Sequence, residues 1–242
     1  LVANVSHEIR SPLTVLAGFV ETLQTLALTG QERQQYLGLM SHQAQRMQTL
    51  VNDLLTLSRL EGSPLPSVNE WVSVDLLMDH CEQEAGDLSR ILWSQPHELS
   101  FERSRACELA GSAVELHSAV SNLVSNAIRY TPVGKRIDVA FRLAPDGAAV
   151  FIVKDQGPGI AQEHLPRLTE RFYRVDRSRS RDTGGTGLGL AIVKHVTQRH
   201  GAELSIESVP GKGSSFSITF PPHRVRRELD RQASHSARAT VA

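Results

Sequence analysis

Apolar side chains follow helical spacing over residues 2–60. One set recurs every seven residues, beginning with Ile9, Leu16 and Leu23, and a second set lies between its members. The same double series recurs from Met40 onward. This is the a and d pattern of helices that share a coiled-coil-like seam, so it predicts two helices.

Thr29 and Gly30 interrupt this pattern and predict the turn of an αα-hairpin. One hairpin alone buries little apolar surface, so the pairing of two hairpins into a four-helix bundle is the natural completion. We therefore expect a homodimer through the N-terminal helical hairpin. A hairpin packed only on its own chain is the alternative.

The pattern changes after the hairpin. The stretch EGSPLPSVNE, Glu61–Glu70, carries two prolines, a glycine and serines and predicts a linker. Helical periodicity returns at Val74–Leu88, Glu115–Tyr130 and Leu188–His200. Alternating segments on either side of Pro145-Asp146-Gly147 predict a β-hairpin, and AELSIES and SSFSITF predict two further strands.

Antiparallel strands with helices on one face indicate the fold class α+β, a dimerisation helical hairpin followed by an α/β sandwich. We place the hairpin at residues 1–62, the linker at 63–73, the sandwich domain at 74–222 and a flexible C-terminal tail at 223–242. The tail is charged and poor in large apolar residues, which predicts fraying, with a nucleic-acid arm as the minor alternative.

Composition narrows the classes of function. Of the 242 residues, 40% are apolar and 21% are charged, and the formal net charge is zero, so no basic field favours direct nucleic-acid binding. The two cysteines, Cys81 and Cys107, stand alone, which indicates a reducing compartment. The chain shows no membrane segment and starts in mid-pattern, so we expect a cytoplasmic fragment of a longer protein.

The segment VSHEIRSPLT, Val5–Thr14, groups residues suited to nucleophilic and acid–base chemistry. His7 falls beside the helical seam, where a neutral imidazole is accessible and rigidly held and can act as a nucleophile. Glu8 is adjacent and can accept the departing proton, and Ser11 lies one turn on, on the same face. An exposed histidine on a helix usually has no such role, and only the combination favours one.

Two glycine-containing segments predict a ligand site. Asp155, at the end of a buried strand, can accept a hydrogen bond from an exocyclic amine, and Gly157 and Gly159 let the backbone approach a flat ring. The segment GGTGLGLAIVK, Gly184–Lys194, opens a helix with glycines, so its N–H groups and dipole favour an anion such as phosphate. It lacks the preceding strand of a Rossmann site and the Gly-Lys-Ser/Thr of a P-loop.

The segment NLVSNAIRYTP places Asn122 and Asn126 on one helix face, with Arg129 one turn later. Two amides and a cation on one stripe suit a Mg²⁺–phosphate group, although surface or buried hydrogen-bonded amides give the same spacing. Arg171 and Arg174 in RFYR are either solvated charges or phosphate clamps. The polar stretch that follows can close over a ligand as a lid.

Together these segments resemble the boxes of the sensor histidine kinases. SHEIRSPLT is similar to the phosphoacceptor box, and NLVSNAIRYTP, DQGPGI, RFYR, GTGLGLAIVK and GKGSSF are similar to the nucleotide-binding boxes, in the family's order, over about Val2–Pro222. LVANVSHEIRSPLTVLAGFVETL is most similar to the phosphate-regulon sensor kinases. The resemblance implies the ATPase sandwich shared with gyrase, heat-shock chaperones and mismatch-repair proteins.

The resemblance also implies residue roles. His7 is then the phosphoacceptor and Glu8 its acid–base helper. Asn126 ligates Mg²⁺, Asp155 reads the adenine amine of ATP and Tyr130 lies against the nucleoside. The implied ATP-binding set is Asn122, Asn126, Arg129, Tyr130, Asp155, Gly157, Gly159, Arg171, Arg174, Gly185, Thr186, Gly187, Leu188 and Gly189.

The implied function is autophosphorylation of His7 from Mg-ATP, with the sandwich swinging about the linker, and transfer to an aspartate of a response-regulator receiver domain. The parent protein is then expected in the inner (plasma) membrane, with this part in the cytoplasm. Ser11 departs from the family pattern, which usually has Thr or Asn at this position to orient water. Because serine keeps the hydroxyl, although it lacks the stiffening methyl, dephosphorylation of the partner is expected as well. The alternatives are a conformational ATPase of the same superfamily, a non-catalytic dimeric scaffold for a response regulator, and a mainly phosphatase form.

Overall fold

The computed structural model describes residues 2–104, 107–175 and 185–227. Within these ranges, a pair of packed helices is followed by a layered domain of sheet and helices. None of the described helices combines the length and the apolar character that crossing a membrane requires.

The two N-terminal helices are α1 (Val2–Thr25) and α2 (Gly30–Gly62), which pack as the predicted αα-hairpin. Thr29 is the N-cap of α2 and forms a reciprocal capping box with Glu32. The Thr29 N–H donates to the Glu32 carboxylate at 2.8 Å, and the Glu32 N–H donates to the Thr29 hydroxyl oxygen at 3.3 Å. Gly30 is therefore the first residue of α2 rather than part of the turn.

The seam of the hairpin is only partly covered in one copy of the chain. Ile9 and Leu16 of the first heptad set are half-buried. Leu13 and Val20 of the interleaved set remain 49% and 38% exposed. Helix α1 therefore presents an apolar stripe that the described residues of its own chain leave uncovered.

The second domain alternates short strands and helices. In chain order they are β1 (Trp71–Ser73), α3 (Val74–Leu92), β2 (Glu98–Arg103), β3 (Cys107–Ala110), α4 (Ala113–Tyr130), β4 (Arg136–Leu143), β5 (Ala149–Asp155), α5 (Gly189–Arg199), β6 (Glu203–Val209), β7 (Gly213–Phe220) and β8 (Val225–Arg227). Five of the strands form one sheet in the order β2-β4-β5-β7-β6.

The centre of this sheet follows the sequence prediction. β4 and β5 form the predicted β-hairpin, with Ile137 opposite Asp155, and Gly147 closes the turn with a φ of 88°. The four predicted strands all pair antiparallel, whereas β2, which was not predicted, makes the sheet mixed because it pairs in parallel with β4. The chain between these strands contains β3 and α4, a crossover long enough for parallel pairing.

Helices α3, α4 and α5 cover one face of the five-stranded sheet. The hydrophobic core lies between them and the sheet, where Leu123, Ile128, Phe141, Phe151 and Ile192 are all almost fully buried. Helix α4 contacts both α3 and α5, as well as β4 and β5. Its C-terminal half is therefore held firmly beside the end of the central strand β5.

A second sheet has the strand order β1-β3-β8, and it places two domain boundaries differently from the sequence prediction. β1 begins at Trp71, so the linker predicted at 63–73 ends before that residue. Arg224 is 7% exposed and β8 pairs with β3, so residues 223–227 belong to the folded domain and the predicted tail is wrong for them. The remainder of the predicted tail, residues 228–242, lies outside the described residues.

Candidate functional site

A cavity of about 390 Å³ opens between α4, the ends of β5 and β7, the start of α5 and the side of α2. Three of the residues predicted to bind ATP do not line this cavity. Gly157 and Leu188 are adjacent in sequence to residues that do, whereas Arg171 is not. The other residues predicted to bind ATP all line it: Asn122, Asn126, Arg129, Tyr130, Asp155, Gly159, Arg174, Gly185, Thr186, Gly187 and Gly189. The fold therefore brings segments that are far apart in the sequence to one place.

Asp155 is the last residue of β5 and is 7% exposed. Its Oδ1 accepts the backbone N–H of Gly157 at 2.8 Å and that of Ser214 at 3.3 Å. Burial raises the pKa of Asp155, and these two donors act against the rise. The two bonds orient the carboxylate, and a fixed acceptor of this kind is suited to an amine donor in the cavity.

The glycines after Asp155 allow close approaches within the protein itself. Gly159 has a φ of 69°, and a Cβ there would lie 2.1 Å from the carbonyl oxygen of Val209. A Cβ on Gly157 would lie 2.7 Å from Asp155 Oδ1. Only glycine fits the backbone at position 159, and it brings the segment against the end of β6 while lining the cavity.

Helix α4 supplies a polar stripe to the cavity wall. Asn122 Nδ2 donates to the carbonyl oxygen of Ser118 at 2.8 Å. A Cβ on Gly189 would come within 2.6 Å of Asn122 Oδ1, so the absence of a side chain at residue 189 lets the start of α5 pack closely against this amide as it is placed here. Asn126 and Arg129 line the same wall, and burial lowers the pKa of Arg129. The stripe thus combines amide oxygens with a cation.

The glycine-rich segment leads directly into α5. Gly187 has a φ of 74°, and its carbonyl oxygen accepts the Phe172 N–H at 2.8 Å. Thr186 Oγ1 accepts the Leu188 N–H at 3.2 Å, and the Leu188 side chain is fully buried. Leu188 therefore anchors the segment in the core. The first turn of α5 lines the cavity, which places the positive end of the helix dipole there.

Helix α2 also reaches this cavity, and no pattern in the sequence predicted that contact. Asp53 Oδ2 accepts the Thr186 hydroxyl at 2.6 Å. Burial raises the pKa of Asp53, whereas the bond from Thr186 and the nearby Arg129 lower it. Thr49, one turn earlier on α2, lines the cavity as well. The hairpin thus brings a carboxylate to a wall that also carries the cationic side chain of Arg129 from α4.

The two arginines of RFYR occupy different surroundings. Arg174 lines the cavity. Arg171 instead donates to the carboxylate of Glu61 at the end of α2, with His195 Nε2 at 3.2 Å from the same guanidinium nitrogen. Arg171 therefore connects the domain to the hairpin in this structure. Most of the predicted lid, residues 176–184, lies outside the described residues.

The backbone of His7 lies within α1, and the helix continues through Pro12. Ser11 is exposed and Glu8 is half-buried. The placement of the His7 side chain lies outside the described part of the structure. Helical geometry nevertheless puts residues 7 and 11 on the same face.

Comparison with known proteins matches both parts of the chain. Residues 1–63 match the family described as His Kinase A (phospho-acceptor) domain, and residues 111–224 match the family described as Histidine kinase-, DNA gyrase B-, and HSP90-like ATPase. The phosphate regulon sensor protein PhoR of Pseudomonas aeruginosa is 49% identical over 233 residues, covering 96% of this chain and 52% of that protein. The chain belongs to the sensor histidine kinases.

Further relatives agree with this assignment. PhoR of Haemophilus influenzae is 36% identical over 219 residues, covering 90% of this histidine kinase chain and 50% of that protein. The crystal structure of histidine kinase ThkA in complex with response regulator protein TrrA has a TM-score of 0.70 at 20% identity and covers 91% of this chain and 60% of that chain, a likeness of fold. The predicted fold class and family are confirmed. The chain spans about half the length of the two PhoR relatives.

Proposed function

We propose that this chain autophosphorylates His7 from Mg-ATP and passes the phosphoryl group to an aspartate of a response-regulator receiver domain. The observation that carries the proposal is the cavity, where the buried Asp155, the amides of α4 and the start of α5 converge beside the hairpin helix α2. The carboxylate of Asp155 suits the adenine amine, the amides of α4 suit a metal ion bound to phosphates, and the N–H groups at the start of α5 suit an anion.

Each group in the cavity has a part in binding ATP. Asp155 accepts the adenine amine, and Tyr130, which is 44% exposed, lies against the nucleoside. Arg129, Arg174 and the N–H groups at the start of α5 hold phosphate oxygens. Arg171 joins them only if it leaves Glu61.

Magnesium fits the donor set of α4. Among the described residues, no group of three or more His, Cys, Asp or Glu side chains is arranged to hold a metal ion. Asn126, with Asn122 nearby, offers amide oxygens, and Mg²⁺ completes its ligands with phosphate oxygens and water. When bound, it supplies positive charge that neutralises the phosphates.

The phosphoryl transfer needs only groups of this chain and ATP. A ring nitrogen of His7 attacks the γ-phosphorus, so an N–P bond forms while the bond from that phosphorus to the β–γ bridging oxygen breaks, and its electron pair leaves with ADP. Glu8, next to His7, takes the ring proton or holds the tautomer. A receiver-domain aspartate oxygen then attacks the same phosphorus and the N–P bond breaks. The ring leaves as neutral imidazole, because it has kept its N–H proton or takes that proton back from Glu8.

The partners follow from the same proposal. A second copy of the chain covers the stripe that contains Leu13 and Val20, giving a four-helix bundle and a homodimer. The receiver domain docks on the hairpin beside His7, and Ser11 orients water for dephosphorylating it. We further infer a cytoplasmic position for this chain and a membrane-anchored parent in a phosphate-regulon system, as the likeness to PhoR suggests.

The test is incubation with γ-labelled Mg-ATP, comparing the chain with its His7→Gln variant. We expect acid-labile, alkali-stable label on the chain and none on the variant, with equal nucleotide binding by both. Binding and hydrolysis of ATP without phosphohistidine would favour the conformational ATPase instead. Failure to bind nucleotide would favour the non-catalytic scaffold.

A further inference from the structure

The C-terminus of α2 exposes carbonyl oxygens that its own helix does not satisfy. The last four carbonyls of any α-helix lack an intrahelical partner, and Pro64 supplies no N–H with which to extend the helix. The Ser63 N–H still donates to the Arg59 carbonyl oxygen at 2.9 Å. The carbonyl of Leu60 in the last turn, and those of Ser63 and Pro64 directly after the helix, need donors from elsewhere.

Arg199, the last residue of α5, supplies these donors from the other domain. Its Nη1 donates to the carbonyl oxygens of Leu60 at 2.8 Å and Ser63 at 3.0 Å. Its Nη2 donates to the carbonyl oxygen of Pro64 at 2.6 Å. A cation also interacts favourably with the negative end of the helix dipole. Arg199 thus caps α2 although the two helices are separated by more than a hundred residues of sequence.

Glu115, in the first turn of α4, fixes the orientation of this arginine. Arg199 Nε donates to Glu115 Oε2 and Arg199 Nη2 donates to Glu115 Oε1, both at 2.9 Å. The two side chains are only 10% and 16% exposed. An arginine carries five N–H donors in a rigid fork, and here all five have acceptors. A lysine has three donors from a single nitrogen and cannot reproduce this set.

The rest of the linker is also held against the domain. Arg224 Nη1 lies within hydrogen-bond distance of the carbonyl oxygens of Pro66, at 3.4 Å, and Ser67, at 3.3 Å. The Gly111 N–H donates to the Glu70 carbonyl oxygen at 2.8 Å. The linker that is predicted to act as the hinge is therefore held against the domain by hydrogen bonds at several points.

We propose that Arg199 and Glu115 are positioning residues for phosphoryl transfer. They clamp the C-terminal end of α2 onto the ATP-binding domain. The conformational changes that move this domain relative to His7 therefore occur within the hairpin, N-terminal to Leu60. This inference rests on the proposed function. The clamp lies outside the cavity, so it governs how often the bound nucleotide meets His7 and not how tightly nucleotide binds.

The kinetic test uses Arg199→Met and Arg199→Lys in the whole chain. The control is Arg142→Met, which removes an arginine that pairs with Glu102 on the exposed surface of the sheet. At saturating Mg-ATP, we expect Arg199→Met to lower the first-order rate of His7 labelling at least tenfold and Arg199→Lys to lower it less. Nucleotide affinity stays within twofold in all three variants.

Two results of this test would overturn the proposal. One is an unchanged or increased labelling rate in Arg199→Met. The other is a loss of nucleotide affinity by the same factor as the rate, which would indicate general damage to the domain. The Arg142→Met control keeps both the rate and the affinity of the unmodified chain.

Hydrogen–deuterium exchange tests the clamp without requiring activity. We expect exchange in residues 59–65 to become several-fold faster in Arg199→Met and to stay unchanged in Arg142→Met. Unchanged exchange in Arg199→Met refutes the clamp whatever the activity. If the unmodified chain binds ATP but carries no label on His7, the proposed function fails, and accelerated exchange still establishes the clamp.

Discussion

The substitution Asp155→Asn tests the proposal that Asp155 recognises the base of the nucleotide. Asp155 Oδ1 accepts two backbone N–H groups, from Gly157 and Ser214. Asparagine keeps an oxygen in that place because the same two donors select it. Its Nδ2 then replaces the second carboxylate oxygen, so an N–H donor faces the amine of adenine where an acceptor stood before.

The size of the effect follows from the bond that is lost. A hydrogen bond to a charged group contributes about 1.5–3 kcal/mol, and each 1.4 kcal/mol is about a factor of ten in affinity. We therefore expect Asp155→Asn to weaken ATP binding about 10- to 150-fold. Inosine triphosphate carries a carbonyl in place of the amine, and the new amide can donate to it, so its affinity falls less or rises.

Equilibrium binding of both nucleotides to both proteins is the assay, and a melting curve controls for folding. Burial raises the pKa of Asp155, so the ionised carboxylate costs stability at neutral pH, and this cost disappears as the pH falls below the ordinary carboxyl range. Asparagine removes the cost. The variant should therefore melt no lower than the unmodified chain at neutral pH.

An equal loss of affinity for the two nucleotides would refute base recognition by Asp155, and so would undiminished ATP binding. A large drop in melting temperature would contradict the assigned electrostatics of the buried carboxylate.

Three further predictions concern the rest of the molecule. Asp53→Asn removes a negative charge from the cavity wall and should tighten Mg-ATP binding about fivefold in a titration; weaker binding would contradict it. Replacing both Leu13 and Val20 with Glu should weaken dimerisation at least about 100-fold in sedimentation, because the apolar stripe of α1 is lost; an intact dimer would place the interface elsewhere. Burial raises the thiol pKa of Cys81 to about 12 and of Cys107 to about 11. A thiol reagent at neutral pH should therefore react at least roughly 1000-fold faster in denaturant than with the native chain. Rapid reaction with the native chain would contradict the burial of these thiols in the core.

The parts of the fold that sequence could predict depend on local signals. The seven-residue apolar series predicted α1 and α2, and the alternation around Gly147 predicted β4 and β5 with their turn. Four strands were not predicted. Of these, β1, β3 and β8 have only three or four residues, which are too few to establish an alternating period. The strand β2 was not predicted either, because its pairing with β4 depends on a crossover through α4 and not on the pattern of its own residues.

Much of the candidate site was predictable because glycines, amides and an acid mark it within short segments. Asp53 carries no such mark, because a single acid on a long polar helix is usually solvated, and only the packing of α2 against the second domain brings it to Thr186. The position of Arg171 beside Glu61 also arises from that packing. Arg199 gave no signal either, since a basic residue in the last turn is common in helices.

The most direct test of the histidine kinase assignment is to quantify, in one reaction, the phosphoryl group at His7 and the ADP released from Mg-ATP. Peptide mapping under alkaline conditions locates the phosphoryl group, and chromatography measures the ADP. We predict one acid-labile phosphoryl group on His7 for each ADP formed in the first turnover. ADP formed with no phosphoryl group on His7, or with the group on another residue, would contradict the proposed function.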